Sequence, residues 1–362
     1  MKKNQADAIA RLKTLYEKKA ENQIFARAVV TMPNDLWERL KSMASRIPPG
    51  EMPTGEQVFP VWDEYLRHYE AIEDDWVPAI YPWQYDQGIY GTLFKARLHV
   101  NPSGPPGCAN STSYPLEGTS YDELIRLAEL PSDEWVGRME KDLRYLSSRG
   151  QGRWGVAVVI TGDGLNLAQQ IRGNQFLLDL YDCPADLKRF LQAGVRLNID
   201  LVERERAAIG PWQGEGVCDF FNAGWMPNQS VPMSVDCYNL CRADVYAEFG
   251  RPYQQQLIDH FGGGNFHLHG NGRHLLGEIA KLKGCVAAFT ANDGSEVRAF
   301  DDLENIKRQG GAITPFVSCQ ADEFARRLGE RSLVGGVYYV VDSVPTVEDA
   351  NRLMESVRAY RV

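Results

Sequence analysis

Short apolar runs alternate with helical patterns along the last two thirds of the chain. The runs are at 156–160, 217–221, 265–269, 286–290, 312–317 and 336–341. Between them lie stretches with apolar residues at helical spacing, among them 165–173, 184–209 and 243–261. Continuously apolar strands that alternate with helices are typical of a parallel sheet buried on both faces. The pattern therefore predicts an α/β fold.

The first part of the chain follows a different pattern. Helices are predicted at 5–20 and 35–45, whereas 48–117 is rich in aromatic residues and proline and shows little periodicity. No Gly-x-Gly-x-x-Gly links an early strand to a helix, which favours a (β/α)8 TIM barrel over a doubly wound sheet. We expect residues 1–75 to form an N-terminal helical lead-in and residues 76–362 to form one barrel unit, with the irregular segment covering one face.

Composition narrows the classes of function. The net charge of −9 opposes binding to nucleic acid or anionic lipid, and no apolar run reaches membrane-spanning length. The N-terminus lacks the apolar core of a secretory signal. The seven cysteines are widely spread, so free thiols are expected. These features predict a cytoplasmic protein with a small-molecule substrate and no nucleic-acid or membrane partner.

The segment His267-Leu268-His269 carries the clearest candidate chemistry. Residues two apart on a strand point to the same face, so both imidazoles can share one metal ion. The alternative is that one histidine packs inside the fold and that Gly270 and Asn271 merely turn the chain. Other candidates are polar groups that follow predicted strands, although such residues also cap helices. They are Asp163, Asp219, Asn222, Asp293, Cys319 and Asp342.

A set of aromatic residues is a further candidate for the site. Tyr81, Trp83, Tyr85 and Trp225 are candidates for the wall of an active-site mouth, although aromatic residues more often belong to the core. Together with Asp163 and Asn222, Tyr81 is a candidate catalytic residue.

Four separated motifs resemble the uroporphyrinogen decarboxylase superfamily, on the branch of the corrinoid-dependent methyltransferases. They are the glycine-containing turn at 161–165 running into Arg172-Gly173, the stretch 178–184, the stretch from Phe249-Gly-Arg-Pro-Tyr253 to the His267-x-His269-Gly270-Asn271 motif, and the tail 335–346. The resemblance implies a (β/α)8 barrel with its site at the carboxyl ends of the strands. It also implies a divalent metal, zinc by analogy, held by His267, His269 and Asp342.

Two departures from the superfamily change the expected chemistry. Residues 20–60 lack the Arg-Gln-Ala-Gly-Arg-Tyr run of the decarboxylases, so porphyrinogen decarboxylation is not expected. The methyltransferases use cysteine where this chain has His269, and Asp342 or Ser343 replaces their last cysteine. Imidazole and carboxylate ligands make a harder site than thiolates, which suits an oxygen or nitrogen methyl compound.

The first functional hypothesis is therefore metal-assisted methyl transfer. The methyl carrier would be a corrinoid on a separate protein, because this chain has no Asp-x-His-x-x-Gly module. The alternatives are a metal-independent decarboxylase or lyase acting on a carboxylated substrate, with Arg172 and Arg273 as its cations, and a non-catalytic barrel that binds a small ligand. The resemblance also implies a homodimer.

Overall fold

A computed structural model describes residues 2–30, 36–101, 110–129, 133–212, 216–219 and 224–362. The strands in these ranges are β1 Ile24–Val30, β2 Ala79–Ile80, β3 Leu98–Asn101, β4 Asn110–Ser113, β5 Gly155–Val156, β6 Val231–Ser234, β7 Gly264–Leu268, β8 Cys285–Thr290, β9 Thr314–Gln320 and β10 Val337–Val344. The α-helices are α1 Gln5–Tyr16, α2 Leu36–Ala44, α3 Gly55–Arg67, α4 Asp86–Leu93, α5 Tyr121–Glu129, α6 Asp133–Gly150, α7 Gly164–Arg172, α8 Gln175–Asp182, α9 Pro184–Ile209, α10 Ala243–Phe249, α11 Arg251–Phe261, α12 Leu276–Ile279, α13 Leu303–Gly310, α14 Ala321–Gly329 and α15 Val347–Ala359.

Eight of the strands form a (β/α)8 barrel. Six of them pair in parallel in the order β1-β10-β9-β8-β7-β6, and β2 pairs in parallel with β5. Backbone hydrogen bonds join the two groups on both sides: Asp75 donates to Ala26 at 2.9 Å, and Thr161 donates to Pro232 at 3.0 Å. The remaining strands, β3 and β4, form an antiparallel hairpin outside the barrel.

Alternation along each strand divides the apolar residues into two cores. Phe25, Tyr338 and Phe316 are register partners that point inward, and the rings of Phe316 and Tyr338 stack with centroids 4.5 Å apart. Tyr16 of α1 stacks on Phe316, so α1 covers this inner core at the amino-terminal end of the strands. The intervening residues, such as Ala26, pack outward against the helices. The carboxyl ends of the strands are thus left for the site.

The structure confirms the predicted barrel and refines its elements. Helix α9 spans the predicted 184–209, whereas the predicted helix 243–261 is divided at Gly250 into α10 and α11, with Pro252 in the first turn of α11. The lead-in supplies a barrel strand, because β1 pairs with β10 over most of its length. Within the described residues, no helix is both long enough and apolar enough to cross a membrane.

Candidate metal centre

Strand β7 aims two histidines into the barrel mouth. Phe266 and Leu268 are fully buried in the outer core, so His267 between them faces inward, and His269 continues the same face just after the strand. Their Nε2 atoms lie 3.2 Å apart. The apolar neighbours on β7 therefore fix the direction of both imidazoles.

Asp236 brings a carboxylate to the same point. It follows β6, whose Ser234 is the register partner of His267, and begins a short 3-10 helix. Its Oδ1 lies 3.4 Å from Nε2 of His269, and one ligand atom from each of Asp236, His267 and His269 lies within 4.8 Å of the others. These three residues are called the Asp-His-His group below.

The donor atoms of this group fit a divalent metal ion. Oδ1 of Asp236 is buried and has no hydrogen-bond partner among the described residues. An unsatisfied buried carboxylate oxygen is costly, and a cation placed beside the two ring nitrogens would satisfy it. Burial lowers the pKa of His267, against the opposing effect of the Asp236 carboxylate. The neutral imidazole that results is the form that binds metals.

Asp293 contacts His269 of the Asp-His-His group through the other ring nitrogen. Its carboxylate contacts Nδ1 of His269, on the opposite side of the ring from the other two donors. This contact favours a proton on Nδ1 and leaves Nε2 available as a ligand, the usual arrangement around metal-bound histidine. On the other side, the ring of Phe289 stacks against His267 with centroids 5.8 Å apart.

A further acidic residue, Asp86, lies near the group and was not predicted from the sequence. It begins α4, and burial raises its pKa to about 7, with a further contribution from the Asp236 charge. The hydroxyl of Tyr81 hydrogen-bonds to its carboxyl. Tyr81, a predicted catalytic candidate, thus reaches the site through Asp86. In the sequence, Asp86 directly follows the aromatic stretch from Tyr81 to Tyr85. An acidic residue in that position is also typical of an ordinary helix start, so the sequence alone did not single it out.

Other predicted site residues occupy different places. Asp163 is 1% exposed, and its carboxylate accepts hydrogen bonds from Thr161 and Gln254, so it is part of the interior packing. Asn222 lies outside the described residues. Asp342 is on β10 and is not among the three residues that converge; Asp236 takes the place expected for it.

The remaining candidates are mostly structural. The thiol of Cys319 is buried, and desolvation raises its pKa. Trp225 packs against Tyr16 at the amino-terminal end of the barrel, so it cannot wall the mouth. Arg172 pairs with Asp179.

Comparison with known proteins supports the fold. No protein-family model and no curated protein matches the chain. Among solved structures, it is similar to a methyltransferase from Methanosarcina mazei, at 11% identity over 97% of this chain and 98% of that one, with a TM-score of 0.61. A B12-independent methionine synthase from Shewanella sp. W3-18-1, in complex with selenomethionine, aligns at 12% identity over 94% and 96% of the chains, with a TM-score of 0.44. The predicted barrel fold is confirmed by this likeness.

Proposed function

We propose that the protein catalyses metal-assisted methyl transfer and that the Asp-His-His group holds the metal. The observation that carries the proposal is the convergence of Asp236, His267 and His269 at the carboxyl ends of β6 and β7. In (β/α)8 enzymes this end of the barrel holds the active site. The M. mazei methyltransferase has the same fold, which is consistent with this activity.

The donor set favours zinc as the ion. Two imidazoles and one carboxylate are the ligands of many catalytic zinc sites, in which a fourth position stays open for water or substrate. When bound, such an ion supplies Lewis acidity toward an oxygen or nitrogen atom of a methyl compound. This differs from a cysteine-rich site, whose soft ligands suit thiol chemistry.

The chain's own groups would orient the ligands and hold a proton. Asp293 fixes the ring of His269, and the buried position of His267 keeps its imidazole neutral. Asp86, with its pKa near 7, is suited to hold or release a proton close to Asp236, and Tyr81 orients the Asp86 carboxyl. Tyr81 therefore acts as a positioning residue in this proposal.

A corrinoid on a separate protein remains the proposed methyl carrier, as the sequence resemblance implies. The two cations named for the competing decarboxylase hypothesis have partners within the protein. Arg172 is held by Asp179, and Arg273 donates to the backbone carbonyls of Ala291 and Val297. Both guanidinium groups are thus already bound by other groups of the protein.

Metal analysis of the purified protein tests the proposal. We expect about one zinc ion per chain in the wild type, and loss of most of it in His267→Ala, His269→Ala and Asp236→Asn. Asp342→Asn is the matched control, because it removes an acidic residue that lies outside the Asp-His-His group. Metal-free wild type, or full metal content in His267→Ala, would contradict the metal site.

Activity is measured separately with free cob(I)alamin as acceptor and a panel of O-methyl and N-methyl compounds. Formation of methylcobalamin is followed by its absorbance spectrum. A metal-loaded protein that transfers no methyl group from any of them would favour the non-catalytic barrel.

A further inference from the structure

Arg27 is a cationic residue inside the barrel, separate from the Asp-His-His group. It lies on β1 between Ala26 and Ala28, which are fully buried in the outer core. Because strand residues alternate, Arg27 shares the inward direction of Phe25. Its side chain therefore starts toward the barrel interior.

The guanidinium is held by rings rather than by carboxylates. It lies 3.8 Å from the ring centroid of Trp76 and 5.6 Å from that of Tyr69. Its Nε is buried without a hydrogen-bond partner among the described residues. Stacking fixes the plane of the guanidinium, and Nε is the donor left without a partner among the described residues.

Two other cations near Arg27 form ion pairs with carboxylates, whereas Arg27 does not among the described residues. Lys2 contacts the Asp74 carboxylate, and Arg11 forms an ion pair with Asp75 at 2.6 Å. Arg27 has no carboxylate within 4 Å in the part of the chain that the structure describes. A charged group kept inside a protein without a counterion is costly. Its retention is explained if an anion binds there.

Two acidic residues face Arg27 from neighbouring segments. Asp74 is occupied by Lys2 and by the backbone N–H of Ala28. Asp342, on the adjacent strand β10, contributes to the same electrostatic field but forms no ion pair with Arg27. An incoming anion would therefore meet the positive charge and the unpartnered Nε of Arg27, with Asp342 as a repulsive neighbour.

Strand order places Arg27 across the barrel from the Asp-His-His group. Strand β7 is four steps from β1 along the order β1-β10-β9-β8-β7, which is half of the way around an eight-strand ring. Eight strands about 4.8 Å apart and tilted by about 36° enclose a barrel about 15 Å wide between backbones. A ligand that joins side chains on opposite walls must therefore span less than about 15 Å.

We propose that Arg27 binds the carboxylate of a small substrate whose reacting end lies toward the Asp-His-His group. The fork of donors on a guanidinium matches the two oxygens of a carboxylate. The inference rests on the proposed function for the identity of the reacting end. It also favours methyl transfer over loss of CO2, because the carboxylate is held on the wall opposite the metal group.

Calorimetric titration of the purified, zinc-loaded protein tests this anchor. The probes are benzoate and acetate, with benzamide as the neutral control and inorganic phosphate as a competing anion. We expect the wild type to bind carboxylates, and Arg27→Met to weaken benzoate binding at least tenfold. Arg27→Lys, which keeps the charge but not the fork, should lie between them. Arg242→Met, which removes an exposed arginine, should bind like the wild type.

Asp342→Asn gives an independent prediction, because removing the repulsive carboxylate should tighten benzoate binding. The proposal is overturned if Arg27→Met and Arg27→Lys bind benzoate as the wild type does, if neither carboxylate binds the wild type, or if phosphate binds in preference to both. Metal content, measured on the same samples, separates the two proposals. Arg27-dependent benzoate binding by a protein that takes up no zinc would refute the metal site and leave the anchor standing.

Discussion

Glu205 makes the stability of this barrel depend on pH. It lies on α9, is 1% exposed, and accepts a hydrogen bond from the backbone N–H of Val159 at 3.2 Å. Burial raises its pKa from 4.5 to about 8, and the charge of the neighbouring Arg206 offsets only part of that rise. The folded protein therefore binds a proton at Glu205 over a range in which the unfolded chain has released it.

The sign and size of the effect follow from this difference in pKa. The favourable contribution is fully present below pH 4.5, declines as the pH rises, and is lost above pH 8. Each pKa unit corresponds to about 1.4 kcal/mol, so the whole change approaches 5 kcal/mol. That is a large fraction of a typical folding free energy of about 5–15 kcal/mol.

Urea unfolding of the wild type and Glu205→Gln at several pH values between 5 and 9 measures this contribution. Glutamine keeps an oxygen for the Val159 N–H but does not titrate. The free energy of unfolding of Glu205→Gln should gain on the wild type by about 1.4 kcal/mol per pH unit up to about pH 8. The control is Asp200→Asn, an exposed residue on the same helix. Parallel curves for wild type and Glu205→Gln would refute the reasoning.

Three further outcomes are expected. Asp293→Asn should weaken zinc binding by about 10–100-fold in a chelator competition, because His269 loses its supporting carboxylate; an unchanged affinity would argue against that role. Gly91→Ala should destabilise the protein, because a Cβ there would lie 1.9 Å from Oγ of Ser113, and adding Ser113→Gly should restore part of the melting temperature. Asp163→Ala should lower the free energy of unfolding by about 1–3 kcal/mol in urea, because Thr161 and Gln254 each lose a buried hydrogen bond to its carboxylate.

The sequence predicted the barrel well where its signals were local. The apolar strands β7 to β10 and the long helix α9 have clear periodicity, and the His267-x-His269 spacing fixed a shared face. β1 and β2 were not predicted. β1 carries Arg27 within its apolar run, and β2 has only two residues within an aromatic segment.

Asp236, the third member of the Asp-His-His group, could be found only from the tertiary structure. Asp236 lies in a 3-10 turn after the unpredicted strand β6, and only the pairing of β6 with β7 brings it beside the histidines. Asp342 was favoured by analogy with the last ligand of the superfamily, and it lies three strands from β7 in the sheet. The homodimer and the cytoplasmic location remain predictions.

The pairing of β1 with β10 joins the first and last strands of the barrel. All three members of the Asp-His-His group fall between residues 236 and 269, so one contiguous part of the chain carries the proposed metal ligands. The wall that carries Arg27, in contrast, needs β10 as its neighbour. A truncation before β10 would therefore leave every member of the Asp-His-His group in the chain but remove the strand that borders Arg27.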